Sequence, residues 1–156
     1  AVFQNINLSP GATKTLRDSK TMPFVKISLF ANGSATGGIV AVQASRRNLF
    51  PHLPASSGFP AEGLYLWVNA CQDARTKTSL SRLELNGLRG VLPSLAYTRI
   101  LKHNPITNRW AIPNARYFAS SDTLQVDMTD IQGCYLVFAE SMGTLPTSAQ
   151  SLWLLY

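Results

Sequence analysis

The chain has 156 residues, 46% of them apolar and only 14% charged, with a net charge of +6. Intrinsic disorder is excluded by so apolar a composition, and one domain with a real core fits the length, since such a chain buries roughly 70% of the surface its unfolded form exposes. The fourteen basic residues are dispersed, with Arg46–Arg47 the one adjacent pair and no Lys or Arg after Arg116, so no basic tail marks a dedicated nucleic-acid binder.

Taken in chain order, the sequence reads as strand after strand. "SPGA" (Ser9 to Ala12) separates Val2–Leu8 from Thr13–Arg17. In "FVKISLF", Val25, Ile27 and Leu29 alternate with Phe24, Lys26 and Ser28, the period of a half-buried strand. "ANGSATGG" follows, and its Asn32-Gly33 suits a hairpin tip leading into "IVAVQ".

"ASRRNLFPHLPASSGFPAEG" (Ala44 to Gly63) then interrupts the pattern with three prolines, two arginines, two phenylalanines and a histidine. A connection this long is unusual in a compact domain, and loops on a rigid sandwich commonly carry its binding surface. Phe50 and Phe59 would each forgo about 1.5–3 kcal/mol of burial if left in water. The prolines argue for an ordered excursion. Arg46, Arg47, Phe50, His52 and Phe59 are therefore the candidate partner contacts.

"LYLWVNA" (Leu64 to Ala70) is apolar enough for a central strand. "LSRLELNGLRGV" is expected as strand turning at Asn86-Gly87, although Thr78 or Ser79 as a cap with Gly87 at the far end would also suit a short helix. "LAYTRILKH", "NRWAI" and "RYFAS" follow, separated by Asn104-Pro105 and Pro113-Asn114. "DTLQVDM" alternates, and "CYLVFAE" is apolar on both faces. The terminal "SLWLLY" is so apolar that it is expected to dock, most simply as a strand. Nine or ten short strands with frequent breakers predict a single all-β domain over 1–156, an antiparallel β-sandwich, jelly-roll-like.

Chemistry is harder to find. The histidines are His52 and His103, and no nucleophile-base, zinc or phosphate-loop motif accompanies them. The expectation is no enzyme and no cofactor. Asp122, Asp127 and Asp130 could surround a cation, but a turn aspartate bonding local amides is the simpler reading of Asp130, so no metal is expected. Cys71 and Cys134 could pair if their Cα atoms lie within about 7 Å, which the sequence does not test; two buried free thiols are the simpler reading. Arg109 and Trp110, beside a proline turn, are a candidate ligand-stacking pair. No leader pattern and no apolar run of about 18 residues is visible, so no membrane span is expected.

In overall character the chain resembles small viral coat and coat-projection sandwiches. The stretches "ISLFANGSATGGIVAVQ" and "LQVDMTDIQGCYLVFAES" carry that likeness as strand pairs set among Thr/Ser/Asn/Pro-rich turns. The resemblance implies a structural capsid protein or its projecting domain, located in the virion. Its partners would be copies of itself and a host receptor or glycan. RNA-packaging members commonly carry an Arg/Lys-rich N-terminal arm, whereas "AVFQNINLSPGATKTLRDSK" holds three basic residues and Asp18. That departure points to a projecting domain or separate subunit, with RNA contact weak and non-specific, through Lys14, Arg17, Lys20, Arg46 and Arg47. The alternative is a secreted, lectin-like carbohydrate-binding sandwich.

Overall fold

The computed structural model describes residues 1–46, 63–91 and 97–140. The elements in chain order are β1 (Val2–Leu8), β2 (Thr13–Asp18), β3 (Met22–Ala31), β4 (Ala35–Ser45), β5 (Gly63–Ala70), α1 (Gln72–Thr76), β6 (Thr78–Asn86), α2 (Leu88–Val91), β7 (Tyr97–Asn104), β8 (Arg109–Ala111), β9 (Asn114–Phe118), β10 (Thr123–Met128) and β11 (Gly133–Glu140). One sheet runs β1-β4-β5-β11-β7-β8 and the other β2-β3-β6-β10-β9. All pairings are antiparallel. The chain is the all-β sandwich that the alternation predicts.

Connectivity adds detail to the jelly-roll-like expectation. From β6 the chain crosses to β7 in the other sheet. β7–β8 and β9–β10 then pair as neighbours in opposite sheets, and β11 returns between β7 and β5. This is the strand order of an immunoglobulin-type Greek key, with the last position filled by β5 from earlier in the chain.

Period-two patterning places the core. Val25, Ile27 and Leu29 of β3, Leu83 and Leu85 of β6, and Leu124 and Val126 of β10 face inward, against Val40, Val42, Leu66, Val68 and Val137 of the opposing sheet. Each such side chain contributes about 1.5–3 kcal/mol by leaving water. The residues between them on the five-stranded sheet form a polar ladder. Arg82 grips Asp127 through Nε at 2.7 Å and Nη2 at 3.2 Å, and Lys26 lies 3.8 Å from Glu84.

The six-stranded sheet is different, because β5 and β11 are apolar on both faces and the outer face stays apolar across β7 and β8. Tyr65, Leu101, Trp110, Cys134, Leu136 and Phe138 form a second buried cluster on the face turned away from the inter-sheet core. This explains why "LYLWVNA" and "CYLVFAE" lack alternation: β5 and β11 are interior strands buried on both sides.

Two local expectations are corrected. Asn32-Gly33 is not a hairpin tip, because β3 and β4 lie in different sheets and the segment crosses between them. There Asn32 N–H donates to the Lys77 carbonyl at 2.9 Å. Nor does Asn86-Gly87 turn a hairpin. β6 ends at Asn86, Gly87 adopts φ +69°, and α2 begins at Leu88, so the segment is strand and then short helix.

Candidate functional site

The residues nominated from sequence fall in three places. Arg46 is exposed directly after β4. Arg47, Phe50, His52 and Phe59, like the terminal "SLWLLY", lie outside the described residues. The expected bounds of the excursion are corrected at both ends, since Ala44 and Ser45 belong to β4 and Gly63 opens β5. Beside the end of β4 is a cavity of about 360 Å3 lined by Ala1, Gln43, Ala44, Ser45 and Tyr65, among others.

Arg109 is exposed at the start of β8, but Trp110 is only 2% exposed. The expected Arg109–Trp110 stacking surface is therefore not assembled. Neighbouring residues on a strand point to opposite faces, and the pairing of β7 with β8 sets Trp110 directly opposite His103. Its ring meets the His103 ring edge-on at 5.7 Å and the Tyr65 ring at 6.3 Å. Its Nε1 has no hydrogen-bond partner among the described residues.

The same registers build a different site. Cys134 of β11 pairs with Trp67 of β5, and Tyr135 pairs with Lys102 of β7. One step along that pairing brings Cys134 opposite His103. Trp67, Cys134, His103 and Trp110 thus form a row across four strands on one face. At the end of this row, where the turn after β10 meets α1, lies a cavity of about 490 Å3. It is lined by Trp67, Cys134, His103, Asn108 and Pro105 on one side, and by Arg75, Lys102, Asp130, Gln132 and Gly133 on the other.

Its polar groups are held from several directions. Arg75, on α1, donates from Nη2 to Asp130 Oδ2 at 2.7 Å and from Nε to both carboxylate oxygens at 3.2 Å. The Gln132 amide N–H donates to Asp130 Oδ1 at 3.1 Å. Gln132 Oε1 in turn accepts from the Ala70 N–H at 3.2 Å, which ties the turn to the end of β5. The Lys102 ammonium donates to the Asp130 backbone carbonyl and lies 5.4 Å from the Tyr135 ring centroid. Room for the lysine stem comes from Gly133, at φ +148°, where a Cβ would sit 3.0 Å from Lys102 Cε. His103 Nε2 is 2.8 Å from Asn108 Oδ1, and Asn108 itself adopts φ +53° in the β7–β8 turn.

The electrostatics follow from these contacts. Burial holds the Lys102 pKa below the ordinary lysine value; Asp130 pulls it up and Arg75 pushes it further down. Asp130 is pulled upward by burial, but the Arg75 bonds, the Gln132 amide and the nearby cationic charges outweigh that and hold it below the ordinary aspartate value. Arg75 is raised by its bond to Asp130. Burial pushes the Cys134 thiol up to about 12, so at neutral pH it is no nucleophile.

Asp130 does bond local amides from a turn, as its position suggested. Lys102, Gln132 and Asn108 were not singled out by the sequence, because only long-range strand register brings them together. The Asn104-Pro105 and Asp130 turn signals were the available pointers. Among the described residues no group of three or more His, Cys, Asp or Glu is placed to hold a metal ion. Cys71 and Cys134 are both free thiols. No helix among the described residues is long and apolar enough to cross a membrane. Compared with known protein families, curated proteins and solved structures, the chain matches none.

Proposed function

We propose that the chain is a viral coat or coat-projection domain that works by contact, with copies of itself and with a receptor, and that its place is the virion. The general resemblance, the antiparallel sandwich and the sparse charge support this reading. One observation carries the contact surface. On the edge pair β1–β4, Val2 is 60% exposed and Ile39 47% exposed. Val2 pairs with Ala41, and Ile39 is two residues along the same face. An apolar edge left in water is a surface that association would cover. Light scattering and electron microscopy test it. The chain should self-associate, and Val2→Asp with Ile39→Asp should reduce association while leaving the melting temperature unchanged. A monomer at high micromolar concentration across pH and salt overturns the reading. RNA binding should be weak and fall steeply with salt, as counterion release requires.

A second reading, a carbohydrate-binding sandwich, is favoured by the cavity beside Trp67. An indole next to fixed amide and cationic donors is an arrangement that suits a sugar ring. A glycan array combined with light scattering separates the two, since the coat reading requires self-association, whereas a lectin-like module gives a glycan signal as a monomer.

A further inference from the structure

We propose that the cavity between Trp67 and Lys102 binds an acidic saccharide, a sugar ring carrying a carboxylate or a sulfate. This rests on the saccharide-binding reading and narrows it to one ligand chemistry.

Donors and acceptors around the cavity are unequally used. Both Asp130 carboxylate oxygens already accept from Arg75, and Oδ1 also accepts from the Gln132 N–H. The Asp130 backbone carbonyl accepts from Lys102. Gln132 Oε1 accepts from a backbone N–H, which only an oxygen can do, so the orientation of that amide is fixed. Asn108 Oδ1 is engaged with His103 Nε2. The acceptors named here are therefore in use.

Donors remain. Gln132 Nε2, Asn108 Nδ2 and Arg75 Nη1 make no hydrogen bond among the described residues. The Lys102 ammonium, with three N–H groups, has one carbonyl and a 3.7 Å contact to the Met128 sulfur. A neutral sugar presents hydroxyls, each of which donates as well as accepts. A wall of spare donors suits a group that only accepts, and an oxyanion is that group.

The charge of the cavity also suits an anion. Two cations, Arg75 and Lys102, face one carboxylate, Asp130. Lys102 has been partly withdrawn from water, so an incoming anion gains more from it than from an exposed lysine. A free inorganic anion would leave most of the space empty. The volume of about 490 Å3 lies within the roughly 300–1,000 Å3 of small-molecule sites, and Trp67 offers apolar surface for the carbon skeleton of a ring.

Calorimetric titration of the intact chain with sialyllactose, sulfated lactose, lactose and sodium sulfate tests this. Either acidic sugar should bind at least about tenfold more tightly than lactose, as expected for hydrogen bonds to a charged group. The variant Gln132→Glu keeps the oxygen that accepts from Ala70 and replaces the spare donor with negative charge. It should remove that tenfold preference without lowering the melting temperature. Lys102→Met, which keeps the stem and removes the charge, should weaken the acidic sugars by a larger factor than it weakens lactose. A response to one acidic sugar alone supports the proposal and identifies its anionic group. If lactose binds as well as the acidic sugars, or Gln132→Glu leaves the preference intact, the acidic assignment is overturned and the saccharide reading stands. If sodium sulfate binds as tightly as either sugar, the ring plays no part and the proposal is overturned. If no saccharide binds, both fail.

Discussion

The Tyr135 phenol donates a hydrogen bond to the Ile131 carbonyl, four residues back, across the turn that carries the chain from β10 in one sheet to β11 in the other. Both residues are buried, each at 0% exposure. This is the geometry of a tyrosine corner, which Greek-key sandwiches use to fix a crossover between sheets. Burial also holds the phenol above the ordinary tyrosine pKa, which favours the protonated form that donates this bond. Tyr135→Phe keeps the ring and leaves the Ile131 carbonyl without this donor. Urea unfolding should show a loss of about 1–3 kcal/mol, with the strand content unchanged by circular dichroism.

Ser81 supplies the opposite case. It sits on the inward face of β6 at 0% exposure, and its hydroxyl has no partner among the described residues. A desolvated hydroxyl with no bond costs about 1–3 kcal/mol by mutational measures. Ser81→Ala should therefore be neutral or stabilising by about 1 kcal/mol in chemical denaturation. A substantial loss would mean that the hydroxyl is satisfied.

Trp110 and Arg109 should behave as unlike neighbours. Trp110 is packed against Tyr65 and His103, so Trp110→Ala should cost about 3–5 kcal/mol of stability. Trp110→Phe should cost clearly less, because it also removes an indole N–H that lacks a partner. Arg109→Ala, on the exposed face of the same strand, should leave the melting temperature where it was.

The sandwich was legible because Val25, Ile27 and Leu29, and likewise Leu124 and Val126, keep a strict two-residue period over a polar ladder. β5 was legible as a central strand because it is apolar throughout, and β11 was legible as apolar on both faces. Sheet membership was not legible. Asn32-Gly33 serves a crossover as readily as a hairpin, since local turn chemistry does not say which strand the chain pairs with next. Trp110 was misplaced for a related reason. A three-residue strand is too short to show a period, and which of its faces is buried was set by the pairing of Trp110 with His103, on the side turned away from the inter-sheet core. The cavity escaped the sequence because Arg75 on α1, Lys102 on β7 and Gln132 in the turn before β11 are far apart in the chain and meet only in the folded sandwich.

The two thiols should differ in reactivity. Cys134 is 1% exposed, and burial holds its thiol at about 12, so almost none is thiolate at neutral pH. Cys71 is half-buried at the start of α1, where its sulfur accepts from the Ile39 N–H at 3.3 Å. Iodoacetamide followed by mass spectrometry should find Cys71 alkylated first, with Cys134 modified only under denaturing conditions.

Asp130 sets the response to acid at the cavity. Its carboxylate accepts from Arg75 and from the Gln132 amide, and its folded pKa lies below the ordinary value of 3.8. A depressed carboxylate pKa means that the unfolded chain takes up a proton more readily than the folded one. The stabilisation is therefore fully present above the unfolded value and is lost as pH falls through the folded value. Arg75 and Lys102 remain charged throughout that window, so the carboxylate alone titrates between them. Asp130→Asn removes the titration along with the charge. The stability gap between the parent chain and Asp130→Asn should be constant from neutral pH down to about pH 5, and should narrow below the unfolded value of 3.8. Urea unfolding curves collected across this range measure the gap. A gap that stays constant to the lowest pH at which the chain folds would show that the Arg75–Asp130 bond adds nothing beyond what a neutral amide supplies.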